Sequence, residues 1–167
     1  MLALSALLVA LLNLMPLVAR PRGATPKGRL MTATRVFVEG FADFWKAPVP
    51  ERLQDLLHDD VVLRQPLSPT RRGLPAAQRE FARLLSLLPD LHAEVDRSSQ
   101  TGDVLFIEFR LIARIGNETV EWPATDRFMM RGDKAAERVS YFDSLPLVIK
   151  LLKHPSIWLG LLRQRAT

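Results

Sequence analysis

Apolar residues in the first part of the folded body recur with helical spacing. Phe37, Phe41, Phe44 and Trp45 stand at i, i+4, i+7 and i+8, which puts four aromatic rings on one face of a helix. Thr32 or Thr34 can cap that helix. It should run to about Lys46, because Pro48 and Pro50 interrupt the pattern. A second, short helix is expected over Glu51 to His58, with Leu53, Leu56 and Leu57 inward. Val61-Val62-Leu63 reads as a short strand closed by Pro66, and Ser68 to Gly73 reads as a loop. Pro75 suits the first turn of a third helix. Phe81, Leu84, Leu85 and Leu88 give it one buried face, and Pro89 ends it.

From His92 the period changes from helical to alternating. Strands are predicted over His92–Ser98, Val104–Arg114, Glu118–Arg131 and Glu137–Asp143. The turns Gly116-Asn117 and Gly132-Asp133-Lys134 separate the last three. Helices come first and an antiparallel meander comes last, so the fold class is α+β rather than α/β. A strongly bent sheet with helices against its concave face would leave a pocket at the open end.

Both ends of the chain have a different character. Residues 1–19 carry no charge, and as a helix they would span roughly 28 Å, about the thickness of a bilayer's hydrocarbon core. Asn13 and Pro16 interrupt this stretch, and no positive residue precedes it as a secretory signal would require. An anchor and a helix packed on the protein remain the competing readings. Residues 20–30 form a basic linker, and the domain is expected over 31–144. Residues 145–167 read as two short leucine-rich helices broken by Pro146 and Pro155. The net charge is +5, yet residues 1–30 and 145–167 each hold four basic side chains and no acid, whereas 31–144 hold 15 basic and 18 acidic residues. Apolar and basic ends on a mildly acidic body favour an anionic membrane surface over nucleic acid. The basic cluster after residue 19 places the domain on the cytoplasmic face of any such membrane.

Cysteine is absent, which excludes disulfides, thiolate metal sites and a cysteine nucleophile. His58, His92 and His154 are too scattered to suggest a metal centre, so neither metal nor cofactor is expected.

The most distinctive chemistry lies in the third long strand. Alternation puts Trp122, Ala124, Asp126 and Phe128 on one face, with Pro123 a candidate for a bulge. A carboxylate between Trp and Phe on a pocket wall would be desolvated, a setting that suits acid–base work. Asp143, after Tyr141 at the end of the neighbouring strand, is a candidate second carboxylate. Each acid has a structural alternative. Asp126 can pair with Arg64, Arg110 or Arg138, and Asp143 can cap a following helix. Arg64 can hold a substrate oxyanion or balance a nearby acid. Phe41, Trp45 and Trp122 can line the pocket or belong to the core.

Three segments resemble the SnoaL-like group of the nuclear-transport-factor-2-like superfamily: the Phe37–Trp45 helix, HDDVVLRQPLSPTRRG followed by AAQREFARLL, and ATDRFMMRGDKAAERVSYFDSLPL. The resemblance covers about 32–144. It implies a conical α+β fold with an apolar pocket, shared by polyketide cyclases, ketosteroid isomerases, limonene-epoxide hydrolases and non-catalytic binding domains. Many of these dimerise through the sheet, which makes a homodimer an expectation. The general-base aspartate of the ketosteroid isomerases falls at Gln65 here, and their oxyanion-hole acid falls near Ala124, which argues against steroid isomerisation. The resulting expectation is a domain that binds a hydrophobic small molecule, with cofactor-free acid–base catalysis by Asp126 and Asp143. Trp122, Phe128, Tyr141, Arg64, Phe41 and Trp45 would contact the substrate. The alternative is a non-catalytic, membrane-associated carrier or assembly module.

Overall fold

The structure is a computed structural model that describes residues 27–144. The chain divides into two compact units, 1–30 and 31–167, and the second contains the elements that build the site. The apolar segment 1–19 and the tail 145–167 lie outside the described residues, as do the expectations of anchoring attached to them. Among the described residues no helix is long and apolar enough to cross a membrane.

Helix α1 spans Lys27–Lys46 and is followed by a 3₁₀ helix at Pro50–Asp55. Strands β1 (Leu57–Gln65) and β2 (Ser68–Arg72) form a hairpin that leads into helix α2 (Leu74–Leu87). The meander β3 (His92–Thr101), β4 (Val104–Ile115), β5 (Glu118–Arg131) and β6 (Lys134–Phe142) completes the fold. All six strands join one curved sheet in the order β2-β1-β6-β5-β4-β3, with β1 parallel to β6 and every other pair antiparallel. The architecture is α+β, with the helices packed on one face of the sheet.

Four local expectations need correction. Helix α1 begins at Lys27, inside the expected linker, and not at a Thr32 or Thr34 cap. Lys27, Arg29, Leu30 and Met31 are good helix formers, so helix continues upstream of both threonines. The second helix is a 3₁₀ turn that stops at Asp55, because the next residues are taken into the sheet: Leu57 pairs with Ala135, and the Ala135 N–H donates to the Leu56 carbonyl at 2.9 Å. The short strand at 61–63 is therefore nine residues long. Ser68–Arg72 is an edge strand rather than a loop, where Pro69 is tolerated because one side of the strand has no neighbour to bond.

Gly73 makes the turn from β2 into α2. Its φ of +83° belongs to the region that glycine occupies without strain, and its N–H donates to the Val61 carbonyl at 2.8 Å. This sharp turn lays α2 back across the face of β1. Phe41 meets Phe109 and Phe128 edge to face at 5.4 and 5.6 Å, and Trp45 stacks near Phe109 at 6.0 Å. These contacts fix α1 on β4 and β5.

The opposite face of the sheet carries ion pairs. Arg110 reaches Glu94, Asp96 and Glu121 at 2.8–3.1 Å, and the hydrogen bonds it donates to Asp96 and Glu121 raise its pKa further above the usual arginine range. Arg131 likewise holds the Asp60 carboxyl below the ordinary carboxylate range by hydrogen bonding. Phe106, Met129 and Tyr141 are exposed on this outer face.

Candidate functional site

The helical face of the sheet encloses a cavity of about 470 Å³, bounded by α1, the β1–β2 hairpin, α2 and strands β4–β6. That volume lies within the range of small-molecule sites. Leu84, Leu87, Leu88 and Leu91 form one wall, and Trp45, Phe109, Leu111 and Trp122 form the facing one. Two polar clusters interrupt this apolar lining.

The first cluster is the floor. Strand alternation directs Trp122, Ala124, Asp126 and Phe128 inward, all buried. The expected bulge at Pro123 is absent: β4 and β5 pair without interruption, with Pro123 opposite Arg110. Pro123 is exposed on the outer face and lies one residue beyond the last β5–β6 pair, Ala124 with Phe142, where β6 no longer flanks β5. The irregularity falls instead between β5 and β6. Met130 pairs with Ala135, but Met129 pairs with Glu137, so Ala136 is an extra residue on β6. This bulge turns Glu137 outward and Arg138 and Ser140 inward. Ser140 thus stands directly opposite Asp126, and Arg138 sits one diagonal step away on the same face. The Asp126 carboxylate accepts from Arg138 Nε at 2.5 Å and from Ser140 Oγ.

Asp126 is fully buried and does not line the cavity, whereas Arg138 and Ser140 do. The guanidinium carbon of Arg138 lies 5.9 Å from the Trp45 ring centroid and 5.3 Å from that of Phe81. Both distances are within cation–π range. The arginine is therefore fixed by the carboxylate behind it and by rings contributed from α1 and α2. Trp122 contributes a buried indole N–H that has no acceptor among the described residues.

The second cluster is at the hairpin side. Glu80 on α2 accepts from Ser68 Oγ at 2.7 Å and Arg71 Nε at 2.9 Å, with Gln65 Nε2 at 3.4 Å. These bonds tie the hairpin to α2 across the edge of the cavity. Leu67, at the hairpin tip, has a left-handed φ of 63° and is 70% exposed while lining the cavity. Bulky residues adopt that conformation only under constraint.

The residues singled out from sequence divide into three groups. Trp45 and Trp122 line the cavity. Phe41 and Phe128 are buried with Phe37 in the core behind it, around a small void that Arg138 also borders. Tyr141 and Arg64 face away from the cavity: Tyr141 is 52% exposed, and Arg64 pairs with Glu137 at 2.5 Å on the outer face. Tyr141 falls there because the Ala136 bulge sets which residues of β6 point inward, and Arg64 because it follows the buried Leu63 in the alternation of β1. Asp143 follows the end of β6 and is exposed to solvent. Among the described residues, no group of three histidines or carboxylates gathers as a metal site. Sequence reasoning missed Glu80, Arg71 and Ser140 as cavity residues. It named Arg138 only as one of three possible partners for Asp126.

The fold has many solved relatives. A hypothetical protein with a ketosteroid isomerase-like fold from Catenulispora acidiphila DSM 44928, in complex with trimethylamine, superposes with a TM-score of 0.60 at 19% identity, covering 64% of this chain and 85% of that one. A putative SnoaL-like polyketide cyclase from Jannaschia sp. CCS1 gives 0.59 at 18% identity, covering 77% and 94%. TerC, co-crystallised with polyporic acid, gives 0.63 at 15% identity, covering 69% and 95%. At these identities the likeness establishes the fold. Among curated proteins, none matches the sequence. The family profile of the SnoaL-like domain matches residues 38–138, more than half of the chain, and takes in α2, strands β3–β5, the start of β6 and the Asp126–Arg138 pair. The chain belongs to the SnoaL-like domain family.

Proposed function

We propose that the domain binds a hydrophobic small molecule in the cavity between α2 and the sheet. The observation that carries this reading is the cavity itself: about 470 Å³, walled by leucines and aromatic rings, with its polar groups gathered at the floor and at one edge. An interior usually fills such space with side chains, and an apolar space of this size has room for a ligand. Relatives of the fold with trimethylamine and with polyporic acid support the same reading.

Any acid–base step at this site runs through the floor. Asp126 sits behind Arg138 and Ser140, so its role is to hold the guanidinium and to accept the hydrogen bond from the Ser140 hydroxyl. Ser140 donates its one O–H to Asp126, so its oxygen is the group that accepts a hydrogen bond from a ligand hydroxyl. A carbonyl oxygen bound at Arg138 is polarised by a fixed positive charge in a desolvated setting, where such charge has its largest effect on a developing oxyanion. On this reading any cofactor-free chemistry runs through Arg138, with Ser140 and Asp126 in support, rather than through a carboxylate pair with Asp143.

The test is occlusion. Leu84 is half-buried on α2 and lines the cavity, so Leu84→Trp fills the space from a position that tolerates bulk. Titration with the neutral dye Nile red should show saturable fluorescence with the wild-type protein and at least tenfold weaker binding to the variant, with Tm within a few degrees. Equal binding to both would place the apolar site elsewhere.

A further inference from the structure

We infer that the ligand of this cavity is an apolar monocarboxylic acid, whose carboxylate is received by Arg138 at the cavity floor. The inference rests on the binding reading above and adds the chemical class and orientation of the ligand.

Two observations carry it. The first is the unused part of the Arg138 side chain. Its side chain is only 8% exposed, and Nε is committed to Asp126 at 2.5 Å. Among the described residues nothing accepts a hydrogen bond from either Nη group. A guanidinium has five N–H donors, and with Nε engaged the two Nη groups still present a fork of parallel donors. That fork matches the two oxygens of a planar carboxylate. Trp45 and Phe81 flank the guanidinium, and Asp126 anchors it, so the fork is held ready before a ligand arrives.

The second observation is the charge balance of the lining. Arg71, Arg83 and Arg138 line the cavity, and Glu80 is the one carboxylate among the described lining residues. Glu80 answers Arg71, and Asp126 answers Arg138 from behind. Arg83 has no carboxylate partner among the described residues. The site therefore carries one positive charge in excess. A ligand with a single negative charge neutralises it, and a neutral ligand leaves it standing. Arg83 is exposed at the rim and adds long-range attraction, whereas Arg138 lies within and supplies the directed bonds.

Isothermal titration calorimetry of the full chain with three probes of one shape separates the possibilities: 2-naphthoate, 2-naphthamide and naphthalene. At neutral pH, 2-naphthoate should bind at least tenfold more tightly than 2-naphthamide. The double variant Asp126→Asn/Arg138→Gln removes both charges of the floor pair without leaving one unpaired. In it the two probes should bind within threefold of each other, with naphthalene unchanged. Arg138→Lys keeps the charge but lacks the fork, and should retain only a small part of the preference should the double variant fail to fold. Arg83→Gln should slow association yet keep most of the preference. The inference is overturned if wild-type protein does not distinguish the acid from the amide, if the preference survives without Arg138, or if Arg83→Gln abolishes it. Binding of naphthalene and 2-naphthamide without any preference for the acid would sink this inference alone. Failure of all three probes to bind would overturn the binding reading with it.

Discussion

Replacing Asp126 with alanine should destabilise the domain by about 3–5 kcal/mol, the usual consequence of leaving one member of a buried ion pair alone. Asp126 is fully buried, Arg138 is 7% exposed, and the carboxylate also accepts from Ser140. Without it, the guanidinium keeps its charge in a desolvated place and the serine hydroxyl loses its acceptor. Two further variants resolve the cause. Asp126→Asn keeps a hydrogen-bond acceptor but removes the charge, and should cost less than the alanine. Asp126→Asn/Arg138→Gln should recover part of the loss, because what destabilises is the unpaired charge rather than the absence of the pair. Urea unfolding monitored by circular dichroism gives each value. A cost under 1 kcal/mol for Asp126→Ala would mean that water reaches the floor and that Arg138 is not held as described.

The second large effect is expected at Trp45. This ring is 2% exposed and meets Phe41, Phe44, Phe81 and Phe109 at centroid distances of 5.6–6.2 Å. It also flanks Arg138. Trp45→Ala removes the largest side chain at the junction of α1, α2 and the sheet, and should cost about 3–5 kcal/mol through lost burial and the space left behind. Phe106→Ala provides the contrast. Phe106 is also a large apolar residue, but it is 41% exposed on the outer face, and its loss should cost about 1 kcal/mol or less. Comparable losses for the two variants would contradict the assignment of the core to the helical face.

How far the sequence revealed this molecule depends on the physical signal at each place. The long strands of the meander were legible because one face of β4 and of β5 is buried and the other is wet. In β4, Leu105, Ile107, Phe109, Leu111 and Ala113 are all buried, and their neighbours are not. Helix α2 was legible from its apolar stripe and its proline. Strand β2 was not, since Ser68-Pro69-Thr70-Arg71-Arg72 has no alternation; as an edge strand it takes its order from hydrogen bonds to β1 rather than from burial.

The site was legible only in part, and the Ala136 bulge is the reason. A regular two-residue turn after Arg131 would pair Asp126 with Val139 and turn Arg138 outward. One extra residue slips the register and reverses every side chain that follows. Nothing in Lys134-Ala135-Ala136-Glu137 announces this. The same slip sends Tyr141 away from the cavity and brings Ser140 into it. Glu80 was hidden for a different reason. Within Ala77-Gln78-Arg79-Glu80-Phe81 it reads as a solvent-facing helix residue, and only the arrival of Ser68 and Arg71 from the hairpin gives it partners.

The most direct measurement of the central claim is a methyl NMR titration of the leucine-labelled protein with naphthalene. The account predicts that Leu84, Leu87, Leu88, Leu91 and Leu111, which line the cavity, shift together along one saturable curve. Leu105, fully buried in β4 but not a cavity-lining residue, should shift far less. Saturation with the cavity leucines unmoved, or the absence of any saturable shift, would contradict it.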